Sequence, residues 1–404
     1  MSRRLKSLLF STLYPSSVRP GHGIFVETRL RELMQHAPID ARVLAPVPWF
    51  PSGHARYGAY GVMARTPRAE RWNGIDVSHP RFALLPKVGM TISPLTLAWG
   101  ALPEARRLIQ QGFDFDLIDA HYFYPDGVAA AWLARWLGKP LVITARGSDL
   151  NLIAQYAAPR RWMQWAAQQA QACIGVSAAL VEVLRGWGLP EHKMHVMRNG
   201  VDLTRFQSVD AHLARQTIGL GDGGPVLLMV GNLVELKGHA LVIDALPELL
   251  RQFPQLRLLI VGDGPERARL EAQIARLGLT DCVRLAGAVP NTELLHWYSA
   301  ADALVLASSR EGWPNVLLEA MACGTPVVAT RCGGVPEIVT HDALGQMLQR
   351  RDVPALVTAI AAQLGRTTDR SSVRRHAQGQ GWQATSAAQM RVFEAAVSSS
   401  QRGH

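Results

Sequence analysis

Apolar residues fall into short runs separated by longer amphipathic stretches along nearly the whole chain. A short apolar run bounded by turn residues reads as a buried strand, and apolar positions at helical spacing read as a helix lying on a core. On this basis the first half predicts strands at 5–13, 39–46, Phe115–His121, Pro140–Ala145, 172–176 and 193–197. Helices alternate with them at Ile24–Gln35, at Ser93–Gln111 (interrupted or restarted at Pro103), from about Val128, at Arg160–Gln171 and at 178–186. Residues 47–92 are rich in Pro, Gly, Arg and aromatics; they predict strands near 60–66 and 75–79 and no assignable chemistry. The rhythm restarts with strands at Val226–Val230, Leu256–Val261, Val283–Leu285, Gly287–Pro290, 303–306 and Val327–Ala329. Its helices fall at 239–251, 266–277, 291–299, Asn315–Cys323, from Val335, and finally at about 382–397. Such alternation predicts an α/β protein of two Rossmann-like domains with parallel sheets facing a cleft.

Composition fits this picture. A chain of 404 residues has room for two domains of roughly 100–200 residues each. Its 48% hydrophobic and 18% charged residues supply ordinary globular cores. No apolar stretch approaches the roughly 18 residues of a membrane span. The opening MSRRLKSLLFSTLYP is broken by Ser, Thr and Pro15, lacks a small-residue cleavage site, and reads as a first strand rather than a signal peptide. Cys173, Cys282, Cys323 and Cys332 show neither metal spacing nor a disulfide pattern, which fits a reduced cytoplasmic setting.

Charge does change the picture. Residues 1–200 hold 23 basic and 13 acidic residues, a net of +10, whereas residues 201–404 hold 19 of each. A one-sided basic balance points to nucleic acid, an anionic membrane surface or an anionic substrate. No nucleic-acid-binding motif is present, so nucleic acid is not expected as a partner. Arg160, Arg161, Trp162 and Trp165 on one predicted helix, and Trp99, Arg106 and Arg107 on another, are candidates for contact with an anionic membrane, although core or surface packing explains them equally well.

The densest chemistry lies in REGWPNVLLEAMACGTPVVATRCGGVPEIV, Arg310–Val339. Glu311 stands in a loop, Pro314 suits a helix start, and Gly324 suits a helix end. Glu319 sits inside an apolar helical run, where a carboxylate without a partner is costly. The turns at Gly312 and Gly333-Gly334 each lead into a helix, where backbone amides stabilise a phosphate or a partly negative hydroxyl. Together these features suggest a nucleotide-diphosphate site.

Glu311 and Glu319, with Gly312, Pro314 and Asn315 between them, resemble the E-x7-E motif of retaining glycosyltransferases of family 4. EAMACGTPVVAT and GGVPEIV are similar to that family's C-terminal domain nearly residue for residue, and AHYFYPDG resembles members that build exopolysaccharide or teichuronic-acid-like polymers. The resemblance implies a GT-B fold. It also implies an acceptor-binding domain over 1–204, a nucleotide-sugar-binding domain over 205–381 after the NGVD turn at Asn199–Asp202, and a helix with tail over 382–404 that crosses back to the first domain. It implies sugar transfer from a nucleotide-diphosphate donor to a glycan or lipid-linked acceptor, by front-face substitution with retention.

Other candidates stand at the ends of predicted strands, where open α/β sheets bind ligands. His121 ends one such strand, and the resemblance puts it near the donor sugar's reactive carbon. Arg146 and Asp149 follow another; Arg146 can pair with phosphate and Asp149 can accept from sugar hydroxyls, or the two can simply hold their loop. Gly23, beside His22, opens a helix after a loop that the family places near the donor diphosphate. Lys237 supplies a point charge, while Asn232 stands where the commonest family pattern has Arg. Arg146, Arg310 or Arg331 can compensate for it. The family seats the base at Ala288-Val289, gives the donor sugar to Glu311 and the ribose to Glu319, and adds Val316 to the donor set. His121, Lys237 and Glu311 are the expected catalytic residues. No D-x-D cluster is present, so neither metal nor cofactor is expected, and the expected location is cytoplasmic, peripheral on the inner membrane face. Alternative readings are a GT-B-fold epimerase or phosphorylase, or an inactive nucleotide-sugar-binding subunit.

Overall fold

A computed structural model describes residues 4–84, 89–221 and 223–401, which divide into two units: Met1–Arg198 with Trp382–His404, and Asn199–Gly381. Residues 402–404 of the expected tail, and Lys87 of the basic first half, lie outside the described residues.

The first unit contains β1 (Leu5–Phe10), β2 (Ile39–Leu44), β3 (Val47–Pro48), β4 (Ala69–Trp72), β5 (Ile75–Ser78), β6 (Arg81–Phe82), β7 (Leu117–His121), β8 (Leu141–Ala145), β9 (Ala172–Gly175) and β10 (Met194–Val196). Eight of these form one sheet in the order β10-β9-β8-β7-β1-β2-β5-β4, parallel except for the β4–β5 hairpin; β3 pairs with β6 separately. Every residue of β7 and β8 is buried, as a parallel sheet covered on both faces requires, and this is why both strands read as unbroken runs rather than alternating ones. The helices are α1 (Ile24–His36), α2 (Gly58–Ala64), α3 (Gly89–Gln110), α4 (Val128–Leu137), α5 (Ser148–Asn151), α6 (Ala157–Gln169) and α7 (Ala178–Arg185). The final helix, Trp382–Gln401, also belongs here. Its Met390, Val392, Phe393 and Ala396 close a core with Leu33, Ile39, Leu117, Val142 and Ile174.

Two expectations need correction in this unit, and for the tryptophans of α6 the packing reading holds. The strand expected near 60–66 is the helix α2, because a short apolar run without clear periodicity fits either state. Helix α3 runs through both Pro94 and Pro103 without a break, beginning before the expected start. Trp162 and Trp165 do not project as anchors. They pack on Trp132 of α4, with ring centroids 6.3 and 4.7 Å away, and Trp136 stacks on the same Trp132. The cluster buries aromatic surface between α4 and α6.

The second unit has β11 (Val226–Val230), β12 (Arg257–Val261), β13 (Val283–Gly287), β14 (Ala303–Leu306), β15 (Val327–Thr330) and β16 (Gly345–Leu348), all parallel in the order β13-β12-β11-β14-β15-β16. The two short strands expected over 283–290 are one, β13. Helices are α8 (Ala211–Thr217), α9 (His239–Gln252), α10 (Arg267–Arg276), α11 (Leu294–Ala300), α12 (Asn315–Ala322), α13 (Val335–Ile338), α14 (Val353–Leu364) and α15 (Arg370–Gln378). Leu227, Val242, Leu246, Leu258, Ile260 and Val305 are among the residues of its core.

Strand order fixes where chemistry can occur. In the first unit the chain steps from β1 to β2 on one side and later returns to β7 on the other; in the second it steps from β11 to β12 and later to β14. The crevice beyond the C-terminal ends of such a pair is where open α/β sheets bind ligands. The loops after β1 and β7, and after β11 and β14, are therefore the places to look.

Candidate functional site

In the second unit the loop after β11 makes a single 3₁₀ turn, Glu235–Lys237, and presents Lys237. The loop after β14 presents Glu311. Lys237 Nζ lies 2.6 Å from Glu311 Oε1, a charge-assisted bond that sets both side chains at the switch-point edge. A third loop, after β15, locks this arrangement. Gly333 has φ 50°, and a Cβ there would lie 1.9 Å from the Glu311 carbonyl oxygen, so only glycine permits the approach. The Gly334 amide donates to the Gly312 carbonyl at 3.1 Å, and the Val335 amide to Cys332 at 3.0 Å. These bonds correct the expected anion cradle at Gly333-Gly334. The Gly334 and Val335 amides are spent within the protein, and α13 is only four residues long. The turn holds Glu311 in place instead. Cys332 lies in the field of Glu311 and Lys237; burial pushes its thiol up to about 11, so it stays protonated at neutral pH.

Helix α12 begins after Trp313, which is buried, and Pro314, which sits at the N-cap. Asn315 accepts at Oδ1 from Asn199 Nδ2 at 3.1 Å. Val316 and Glu319 follow, half-buried. Glu319 has the partner that its apolar surroundings demand: the fully buried Tyr298 donates its hydroxyl to Oε2 at 2.7 Å. Burial raises the Glu319 pKa, and Tyr298 and Arg205 pull it back. Asn232 is exposed in the loop after β11, and Val289 is half-buried just after β13, so both stand at C-terminal strand edges.

In the first unit Gly23 is the N-cap of α1 with φ 71°, and a Cβ there would lie 2.3 Å from the Leu13 carbonyl carbon. His22 Nε2 lies 3.1 Å from the Thr12 carbonyl oxygen. The loop is held from the other side by Asp126, fully buried, which accepts from the Thr12 amide at 2.7 Å and from the Ser11 hydroxyl at 3.1 Å. Burial pushes this carboxyl up to about 7. His121 ends β7 with 1% of its surface exposed. Its Nε2 lies 3.0 Å from Asp119 Oδ2, and its Nδ1 contacts the Arg146 guanidinium. Burial lowers its pKa to about 4, so the ring is neutral at pH 7.

Two roles change accordingly. His121 has both ring nitrogens engaged, so it acts on anything outside through Arg146, which is half-buried and stacks 5.4 Å over Phe25. Asp149, expected to meet sugar hydroxyls, is completely buried and accepts from the backbone amides of Phe123 and Gly147, each at 2.8 Å, and of Arg146 at 3.2 Å. It holds the turn that carries Arg146.

Sequence reasoning missed Asp119, Asp126, Tyr298 and Asn199. Only Asp119 had a local signal: it stands two residues before His121, hence on the same face of the strand. Among the described residues, no group of three or more His, Cys, Asp or Glu side chains is placed to hold a metal ion, and no helix is long and apolar enough to cross a membrane.

Comparison with known proteins shows the family and the fold. Residues 210–379 match the family described as Glycosyl transferases group 1, and residues 62–205 match Glycosyltransferase Family 4. The putative teichuronic acid biosynthesis glycosyltransferase TuaC of Bacillus subtilis is 31% identical over 362 residues, 88% of each chain. Sucrose-phosphate synthase from Thermosynechococcus elongatus shares the fold with a TM-score of 0.77 at 21% identity, over 98% of this chain and all of that one. HepE of Anabaena, solved in complex with UDP, gives 0.71 at 20% identity over 97% of this chain and all of that one. The two Rossmann-like halves make this a GT-B fold, and the chain belongs to the group 1 glycosyltransferases of family 4.

Proposed function

We propose that the chain moves a hexose from a nucleotide-diphosphate donor to a hydroxyl of a glycan or lipid-linked glycan, with retention and without a metal, in the synthesis of a cell-surface or extracellular polysaccharide. The observation that carries this reading is the Lys237–Glu311 pair at the switch point of the second unit, braced by Gly333. In the proposed step the bond from the anomeric carbon to the donor phosphate oxygen breaks and the acceptor oxygen bonds on the same face. The acceptor proton passes to the departing phosphate oxygen, so no protein nucleophile is required. Lys237 offsets the charge that develops on the leaving diphosphate. Glu311 accepts from sugar hydroxyls, Glu319 accepts from the ribose, and backbone at Val289 meets the base. Gly312, Pro314, Asn315 and Val316 shape the turn between the two acids. Arg146, steered by His121, meets an anionic group of donor or acceptor. The TuaC relative supports the polysaccharide assignment.

A thermal-shift panel of nucleoside diphosphates and nucleotide sugars, run with a chelator present, tests the donor half. The uridine series comes first because HepE holds UDP. A ligand that binds only the native state at a hundred times its Kd adds about 2.7 kcal/mol and raises Tm visibly. Stabilisation by one base series, with sugar transfer undiminished by chelator, is expected. No shift with any base series, together with no transfer, overturns the reading.

An anionic membrane is part of the same proposal, as the surface that carries a lipid-linked acceptor on the cytoplasmic face. Its support is a surface of exposed Trp49, Tyr60, Leu84, Ile92 and Trp99 close in sequence to exposed Arg56, Arg65 and Arg68. The Trp49 amide donates to Phe82 and the Thr96 hydroxyl to Ala83, which gathers much of this segment onto one region. Aromatics at the interface with basic residues beside them suit an anionic bilayer. Co-sedimentation with vesicles should rise with their anionic lipid content; binding that ignores it counts against this partner.

A further inference from the structure

The final helix reaches the interior of the first unit with one polar side chain whose position its apolar packing does not explain. Gln389, 1% exposed, accepts at Oε1 from Arg29 Nε at 2.8 Å. Arg29, equally buried, also donates to the Met197 carbonyl at 3.1 Å and lies in the field of Asp119. Asp119, buried on β7, meets His121, and His121 meets Arg146. A deprotonated carboxylate only accepts and a guanidinium only donates, so the imidazole between them has one possible tautomer: Nε2–H toward Asp119 and the Nδ1 lone pair toward Arg146. Charge is balanced along the way, with buried Arg29 and half-buried Arg146 against buried Asp119 and Asp149 and a neutral ring in the middle. The first link is long-range, since Arg29 and Gln389 are 360 residues apart.

We infer that Gln389 is a positioning residue that holds the Arg146 guanidinium in place through Arg29, Asp119 and His121. The inference rests on the reading of Arg146 as a donor or acceptor contact. Without the Gln389 oxygen, Arg29 is left with an unmet buried donor and turns away from Asp119. Asp119 then keeps Arg146 as its remaining nearby cation, and its field favours a charged His121 ring. Below the raised midpoint the ring takes a proton, its Nδ1 becomes a donor facing another donor, and Arg146 is driven off. The charged groups facing the ring are Asp119 from β7, Arg29 from α1, and Arg146 from the turn after β8.

The test uses the full-length protein with isotope-labelled histidine, following His121 by NMR as pH is varied. Wild-type His121 should titrate near pH 4. Gln389→Met, which keeps the volume and removes the acceptor, should raise that midpoint by about one unit or more, as should Arg29→Met. Val392→Ala, a packing change on the same helix, should lower Tm and leave the titration in place. In sugar-transfer assays Gln389→Met should lose about tenfold in kcat/KM at acid pH and recover at alkaline pH, where the ring is neutral again. A folded Gln389→Met protein with an unmoved His121 midpoint overturns the inference. A shifted midpoint with an unchanged pH–rate profile would show that the coupling exists while Arg146 has no part in the reaction. That outcome overturns the functional reading and not the coupling.

Discussion

Lys237→Met should lower kcat for sugar transfer by about 10²–10³-fold, the usual cost of removing one preorganised electrostatic donor. Two features set this magnitude: where this cation stands and which cation is missing. Lys237 lies at the end of a one-turn loop at the switch point, fixed 2.6 Å from Glu311. Asn232, in the same loop, is exposed and neutral at the position where the commonest family pattern supplies a second cation. In the proposed step, the charge that develops on the leaving diphosphate would therefore fall more heavily on Lys237. Its removal should also release Glu311, which loses its partner and its orientation. Fold stability should barely change, because a partly exposed ion pair contributes about 0–1 kcal/mol. Lys237→Arg should recover little, since a planar fork cannot occupy the place of a compact ammonium opposite a single carboxylate oxygen. Steady-state kinetics alongside a melting curve distinguish the outcomes: a kcat within threefold of wild type, in a protein of unchanged Tm, would remove Lys237 from the mechanism.

Glu319→Gln should weaken nucleotide binding by roughly 5–30-fold, the difference between a charged and a neutral hydrogen bond to a hydroxyl. Oε2 of Glu319 is held by Tyr298, which is itself fixed by complete burial, by a ring contact with Phe206 and by a 2.6 Å bond from the Thr325 hydroxyl to its carbonyl. In the proposed reading, the second oxygen is the one that meets the ribose. Glutamine fits the same space and still accepts from Tyr298, so the architecture should persist. Tm should hold or rise, because a neutral amide is cheaper to bury than a carboxylate. Tyr298→Phe gives the complementary result. Without the phenol, burial raises the Glu319 pKa further, so nucleotide binding should weaken at neutral pH and improve as pH increases and the carboxylate reforms. Calorimetric titration with the nucleotide found in the stability panel reads both effects. An unchanged Kd in folded Glu319→Gln would exclude the ribose role.

What the sequence made legible follows the range of the interactions concerned. β14 and β11 fall on the expected residues because buried parallel strands are uninterrupted apolar runs. The need of Glu319 for a partner was also readable, since a carboxylate inside VLLEAMA has a cost whatever surrounds it. The identity of that partner was not, because Tyr298 lies on a different helix 21 residues earlier. Asp149 shows the opposite failure. An acid after a strand invites a ligand reading, yet two backbone amides of its own turn and the Phe123 amide from beyond β7 converge on it, and no one-dimensional pattern reports where amides point. The tryptophans of α6 were ambiguous for the same reason, until α4 supplied Trp132 and Trp136. Helix α2 was misread because seven residues are too few to establish a period.

Because the final helix belongs to the first unit, the order of synthesis differs from the order in which the units can be completed. Residues 1–198 leave the ribosome first, but their sheet lacks the Met390, Val392, Phe393 and Ala396 side chains that complete its core, and Arg29 lacks Gln389. At about 5–20 residues per second, the intervening stretch keeps that apolar face uncovered for roughly 10–40 s. The second unit is continuous in sequence from Asn199 to Gly381 and needs nothing that comes later. Vectorial synthesis thus completes the later unit before the earlier one, and a nascent chain stalled before Trp382 exposes a sticky, half-covered sheet to chaperones and proteases.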